Sequence, residues 1–552
     1  MTDLIGCKPV SRKIEGQKSY HRKYGPFGPR SAVLMREYPQ ESGSEVAGFL
    51  RRLGQTPVLF AAALLASLLF ATNFFPLEGD RPASGPASGR PDLVPDLVFV
   101  QAKTVAPAGA AQRFPEGSRL ARLTLGSRPQ GVTDLTPDFF AVSDPQISFD
   151  GSKVLFAGKI ASESHWQIWE MGVDSAGKRQ VTHCDGDCLR PAYMARDQIV
   201  YTVVAPGGAS SPSGSQLYVS GSDGSEDHPI TFGPGDFEVE AVLQDGRILA
   251  SARNPLGPAL HQSGDGETRE LYTLRSDGTA LATFRCDHHP GVSRGQATEL
   301  DDRSVVFVKT RAERQTGGEL AVFRQGSSHN SPLGPVSEVY GSPRRSDGDG
   351  LIVAKQQPAS SHGTGHGTGH GDGRFDLYAF DVAHGRTGEA LFADPKFSSL
   401  DAVPVASHQP PRWYWSILNP QLKTGYFVCL DSRLSLDAAG GRFSANIAKV
   451  RVLTLDAASG SERVLGEAPV ESDGSFYIAV PPDQPVRFET IDAGGKLVYA
   501  QKSWIWSRSG EERGCVGCHD DKAVAAENTW PLALKRLDSP TRIGLESAGN
   551  TH

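Results

Sequence analysis

The chain has 552 residues, of which 38% are hydrophobic and 22% charged, with 61 Gly and 38 Pro. That length exceeds one ordinary core, and so much turn chemistry argues against a fold of long helices. A formal net charge of -7 leaves no broad basic surface, which excludes nucleic acid as a partner, and seven cysteines are too few for a disulfide-built scaffold.

Residues 1–52 form a basic tail with Lys8, Arg12, Lys13, Lys18, Arg22, Lys23 and Arg30, closed by Arg51 and Arg52. The stretch "PVLFAAALLASLLFATNFF" follows at 57–75 without a charge, close to the ~20 residues a helix needs to span a bilayer. No small-x-small cleavage site closes it, so 53–75 is read as a transmembrane anchor in preference to a removed signal. A basic flank stays on the cytoplasmic side, which places the chain in the inner membrane with its bulk in the periplasm. Residues 76–112, with "EGDRPASGPASGRPD", have the composition of a linker.

From 113 to 410 a unit recurs in which a short apolar run follows an Asp-Gly-like turn and leads to a second strand and another polar turn. Copies read "SFDGSKVLF" with "WQIWEM", "ARDQIVY" with "QLYVS", "LQDGRILAS" with "ELYTL", "LDDRSVVFV" with "ELAVF" and "SDGDGLIVA" with "DLYAF". The turn residues Asp150, Asp197, Asp245, Asp302 and Asp349 lie 47, 48, 57 and 47 residues apart, the period of a four-stranded propeller blade. A sixth blade is assembled from residues near 113–138 and 392–404, so that the two ends close the ring. The aspartates themselves are read as turn formers. Units such as "PQISFDGSKVLFAG" and "RQVTHCDGDCLRPAYM" resemble the TolB-type propeller repeat, a resemblance that implies architecture and very little chemistry.

Other features of this region are read locally. His362, His366 and His370 in "SHGTGHGTGHGDG" sit in a glycine-rich loop whose ligands would be entropically costly to gather. Cys184 and Cys188 are spaced for a disulfide in an oxidising compartment. In "FRCDHHPG", Cys286, His288 and His289 crowd one loop between the third and fourth repeats: a source of a distal iron ligand, a zinc site, or a polar turn with a packed cysteine.

At 411–500 the repeat gives way to alternating runs such as "AKVRVLTL", "GSFYIAV" and "VRFETID", expected as a β-sandwich. Cys429 falls inside the apolar run "YFVCLD" and is read as a buried thiol. The predicted class is therefore all-β: an N-terminal transmembrane helix, a six-bladed TolB-like propeller, a sandwich, and a short helical segment at 501–552.

That last segment carries the chemistry. Cys515, Cys518 and His519 in "GCVGCHDD" form C-x-x-C-H, the attachment signature for c-type haem. Two intervening residues let both sulfurs reach the vinyl groups on one porphyrin edge, and the adjacent imidazole falls beneath the iron. Seven Cys and fifteen His scattered at random would give this motif about 0.002 times, and attachment outside the cytoplasm agrees with the export signal. A zinc knuckle or a Cys515–Cys518 disulfide is the competing reading. The run "DDKAVAAEN" after the motif is a good helix former. No methionine follows Met194, so the haem has to be covered by the rest of the protein, with Trp504, Trp506 and Trp530 as packing partners.

The order of domains, and "DGSFYIAVPPDQPVRFETIDAGGKLVYAQKSWIWSRSGEERGCVGCH" above all, resembles the α subunit of hydrazine synthase. The resemblance implies one covalent haem c at Cys515 and Cys518. In that subunit a tyrosine after the motif ligates the iron while the motif histidine turns to zinc; here no tyrosine follows "HDDKA", so His519 is the expected iron ligand. A zinc, if kept, would fall to Cys286 with His519. The leading expectation is an exported, membrane-anchored monohaem c-type cytochrome-like protein, transferring electrons to a redox partner or binding a small ligand. The rivals are a hydrazine synthase-like haem enzyme acting on small nitrogen compounds, and a noncatalytic propeller binding module.

Overall fold

The computed structural model describes residues 95–106, 110–125, 131–206, 214–253, 268–285, 291–311, 316–346, 350–358, 373–435, 438, 441–456, 460–501, 503–517 and 529–545. The expected anchor at 53–75, the histidine-rich loop, Cys286, His288, His289, Cys518, His519 and the helix expected after the motif lie outside these residues. No helix among the described residues is long and apolar enough to cross a membrane.

The described residues form eight four-stranded sheets, an all-β architecture. Six are blades whose innermost strands are Ala141–Ile147, Asp187–Met194, Phe237–Val242, Val292–Glu299, Tyr340–Arg345 and Ser398–Pro404, each touching the next around a ring. The ring closes in the expected manner: Ser398–Pro404, from the end of the propeller, pairs antiparallel with Leu97–Ala102, from its start. That first strand begins inside 76–112, read above as linker. Its sequence "LVFVQA" is buried at every position, which the Pro-rich residues before it obscured.

Blades form because each apolar run is bounded by a turn the local side chains can make. At Asp150 the carboxylate accepts the Ser152 amide at 3.0 Å and the Ser148 hydroxyl at 2.6 Å, and these bonds pull its pKa down to about 2. Asp245 and Asp302 take the amides two residues on in the same way, at 3.0 and 2.8 Å. After the turn, strands such as "KVLFAGK" (Lys153–Lys159) are buried on both faces between neighbouring blades. Cys184 and Cys188 form a disulfide with 6.4 Å between Cα atoms, as their spacing suggests.

The remaining two sheets make the sandwich. One is ordered Glu462–Pro469, Ile447–Leu455, Val486–Asp492, Leu497–Ala500; the other Glu512–Cys515, Gly425–Cys429, Phe476–Val480, Thr541–Arg542. Phe427, Phe476, Ile478, Val450, Val452 and Phe488 fill the space between them. The sandwich thus draws in two strands from beyond 500, and one of them ends on Cys515.

Candidate functional site

The chain enters the motif from an edge strand of the sandwich that ends on Cys515. Glu512–Cys515 lies parallel to Gly425–Cys429, with Phe427 opposite Arg513 and Cys429 opposite Cys515. Parallel neighbours cannot be joined by a tight turn, so the pairing is set by what holds the chain on either side. Past the strand, the Leu430 amide donates to the Cys515 carbonyl at 2.9 Å and the Asp431 amide to that of Val516 at 3.1 Å. A Cβ on Gly517 would stand 2.5 Å from the Leu434 carbonyl oxygen, so only glycine fits between Val516 and Cys518. Cys515 itself is half-buried and packs against the sandwich core.

The other end of the strand is locked to the third blade. Buried Glu511 accepts the Arg508 amide at 2.9 Å on one carboxylate oxygen and the Ala280 amide at 3.1 Å on the other. Arg513 donates to the Trp506 carbonyl at 2.6 Å and the Leu281 carbonyl at 3.0 Å, and its guanidinium lies 5.9 Å from the Phe427 ring. Arg508 donates to the Asp277 carbonyl, pairs with Asp483 at 2.6 Å and covers Phe232. Trp506 is inserted into the blade core, edge-on to Phe232 and Phe237.

These contacts revise the expected roles of the tryptophans. Trp506 is consumed by the junction between propeller and sandwich, and Trp504 is buried against Arg487, at 5.6 Å from its guanidinium. Trp530 alone remains accessible, 67% exposed, on the chain that follows the motif. Cys429 is buried, as read from its apolar run, but its place opposite Cys515 was not foreseen. Glu511, Arg508 and Arg513 were also missed; the run "SRSGEER" shows charge before the motif and nothing of its partners.

The propeller axis holds a second polar cluster. Each innermost strand is bulged, and the bulges carry Asp144, Arg190, Glu240, Gln296, Ser342 and Asp401. Five of these six have φ between +49° and +54°, conformations that only a supported bulge sustains. They support one another: the Ser342 amide donates to Gln296 at 2.6 Å, the Ser342 hydroxyl to Asp401 at 2.6 Å, and the Arg190 amide to Asp144 at 3.3 Å. Arg113 closes the circle with a 2.6 Å ion pair to Asp401, while Arg190 pairs with Glu238 at 2.9 Å and Glu240 at 3.4 Å. Burial alone would raise the Asp401 pKa, but Arg113 and Arg344 and the Ser342 hydroxyl outweigh it and hold the carboxyl below its usual range. Beyond this ring lies a cavity of ≈ 200 Å³ faced by Arg344, Glu240, Glu299 and His408. Among the described residues no three His, Cys, Asp or Glu side chains gather as a metal site.

The class so defined is a six-bladed propeller docked on a β-sandwich whose edge strand leads directly into a C-x-x-C-H sequence. Residues 437–520, which include that strand and the motif, match the family described as "Hydrazine synthase alpha subunit middle domain". Hydrazine synthase subunit alpha of Kuenenia stuttgartiensis is 23% identical, with 89% of this chain and 76% of that protein covered. The solved Kuenenia stuttgartiensis hydrazine synthase superposes with a TM-score of 0.69 at 20% identity, covering 84% of this chain and 75% of that one. TolB from Acinetobacter baumannii aligns at 12% identity with a TM-score of 0.39, over 56% of this chain and 66% of its own. The chain therefore resembles the hydrazine synthase alpha subunit in sequence, in the middle-domain family match and in fold.

Proposed function

We propose that the chain is an exported, membrane-anchored redox protein of the hydrazine synthase alpha type, carrying one haem c bonded to Cys515 and Cys518 with His519 on the iron. One observation carries this reading: the matched family segment ends on a C-x-x-C-H sequence whose first cysteine sits half-buried on a fixed edge strand. An attachment point is served by a part-exposed residue on a hydrogen-bonded backbone, and Cys515 is half-buried on a strand paired with Gly425–Cys429. When bound, haem supplies reversible one-electron chemistry at iron. The chain's own part is to hold and orient. Glu511 and Arg513 tie the strand to the third blade, and Gly517 lets the chain turn tightly past Leu434. Cys286, His288 and His289 follow closely in sequence after Leu281, the residue that receives Arg513, which makes that loop our choice of side chains that would supply a further iron ligand or hold a zinc.

A hydrazine synthase-like activity on small nitrogen compounds is the second reading, favoured by the relative's own activity and family match. The absence of a tyrosine after "HDDKA" favours a histidine-ligated, electron-transferring iron instead. The deciding experiment uses protein made with haem-maturation machinery. Its intact mass should rise by one haem that denaturing gels do not remove. A reduced spectrum unmoved by carbon monoxide then indicates electron transfer, and a shifted one indicates an open site for small ligands. No added mass refutes the haem reading altogether.

A further inference from the structure

We infer that Cys429 and Cys515 form a dithiol site that closes into a cross-strand disulfide in the haem-free chain. The two residues are direct partners in a parallel pair, so their side chains leave the sheet on the same face. Both pack into one cluster with Phe427 and Phe476. Neighbouring strands run about 4.8 Å apart, inside the window of about 4.4–6.8 Å between Cα atoms that a disulfide accepts. The backbone bonds on either side, from Leu430 to the Cys515 carbonyl and from Tyr426 to the Glu511 carbonyl, hold this register against slippage.

The two thiols are unequal in access, and that sets the order of events. Cys429 is 1% exposed, whereas Cys515 is half-buried on an edge strand. A small disulfide, RSSR, is therefore attacked first by the Cys515 thiolate, giving a mixed disulfide and releasing one RSH. Cys429 then displaces the second RSH, so that two protein thiols are oxidised to one disulfide as one RSSR is reduced to two RSH. The sulfur of Cys515 is then unavailable for a thioether. On the haem reading above, the chain has to be reduced before haem is attached. C-x-x-C sequences commonly close on themselves, and here the strand geometry offers Cys515 a different partner.

The test uses the full-length chain made without haem maturation, purified under reductant and then exposed to oxidised glutathione. Thiols are trapped with N-ethylmaleimide, and the digested protein is read by mass spectrometry. The expected product is a Cys429–Cys515 cross-linked peptide pair lighter by two hydrogens, lost on adding dithiothreitol and retained in Cys518→Ala. In Cys429→Ala, with unchanged circular dichroism, the cross-link is lost and Cys515 is recovered joined to Cys518 or as a glutathione adduct. A Cys515–Cys518 disulfide in the unsubstituted chain, with Cys429 still a thiol, overturns the proposal. The cross-link is read on haem-free protein, so its failure is distinct from failure of the haem reading, which the intact mass of matured protein decides.

Discussion

The indole nitrogen of Trp506 donates to the Gly278 carbonyl at 3.3 Å, and through this bond a residue of the sandwich segment becomes part of the core of a propeller blade. The segment between Trp506 and Cys515 is thus built against two domains at once. Glu511 and Arg513 continue the same junction and tie the strand that ends on Cys515 to the third blade.

Trp506→Ala should cost about 3–5 kcal/mol, since it empties a packed aromatic site between Phe232 and Phe237. Denaturant titration followed by fluorescence checks this. Trp506→Phe, which refills most of the volume, should lose clearly less.

Gly517→Ala places a methyl group 2.5 Å from the Leu434 carbonyl oxygen, so one of the two chains has to shift. The expected cost is about 1–3 kcal/mol. On the haem reading the variant should also show a lower ratio of haem to protein after maturation, measured from absorbance against peptide mass. Stability equal to the parent would mean that this turn is not as tight as described.

Asp401→Asn leaves Arg113 without its 2.6 Å carboxylate partner at the centre of the ring, where Asp401 is 3% exposed. Removing one member of a buried pair costs about 3–5 kcal/mol, and thermal unfolding should show it. Asp134→Asn, which loses only the 3.5 Å pair between Arg119 and a part-exposed carboxylate, should move the midpoint far less.

The propeller should lose stability in acid. Burial pushes both carboxyls up, but Arg113, Arg344 and the Ser342 hydroxyl together outweigh it at Asp401, and Arg269, Arg190, Arg253 and Arg113 together do so at Glu238, so both folded pKa values lie below the ordinary 3.8 and 4.5. A carboxyl lowered in this way stabilises the fold at pH values above its unfolded pKa. That contribution falls away as the pH drops through its folded value. Urea midpoints should accordingly stay flat from neutrality to about pH 5 and decline below about pH 4. In Asp401→Asn the decline should be shallower. An identical slope would remove Asp401 from the account.

Much of the fold was readable in the chain because its signals are local. Asp150, Asp245 and Asp302 make their turns with residues two positions away, so a recurring Asp at blade spacing announces the repeat wherever the blade ends up. The closing of the ring was legible in outline, but Leu97–Ala102 was hidden behind a Pro- and Gly-rich run. The bulge residues were not legible: Asp144, Arg190, Glu240, Gln296, Ser342 and Asp401 share a place in each blade and no common chemistry, and they become one network only around the axis.

The sequence alone determined the blade period, the alternation that builds the sandwich, and the order Cys515, Cys518, His519, because each of these is written in residues that touch along the chain. Tertiary structure decided what stands beside them: Ser398–Pro404 against Leu97–Ala102, Arg513 against Leu281, and Cys429 opposite Cys515. Register between strands far apart in sequence is fixed by the summed packing of two sheets and a blade, and no short stretch of the chain encodes that sum.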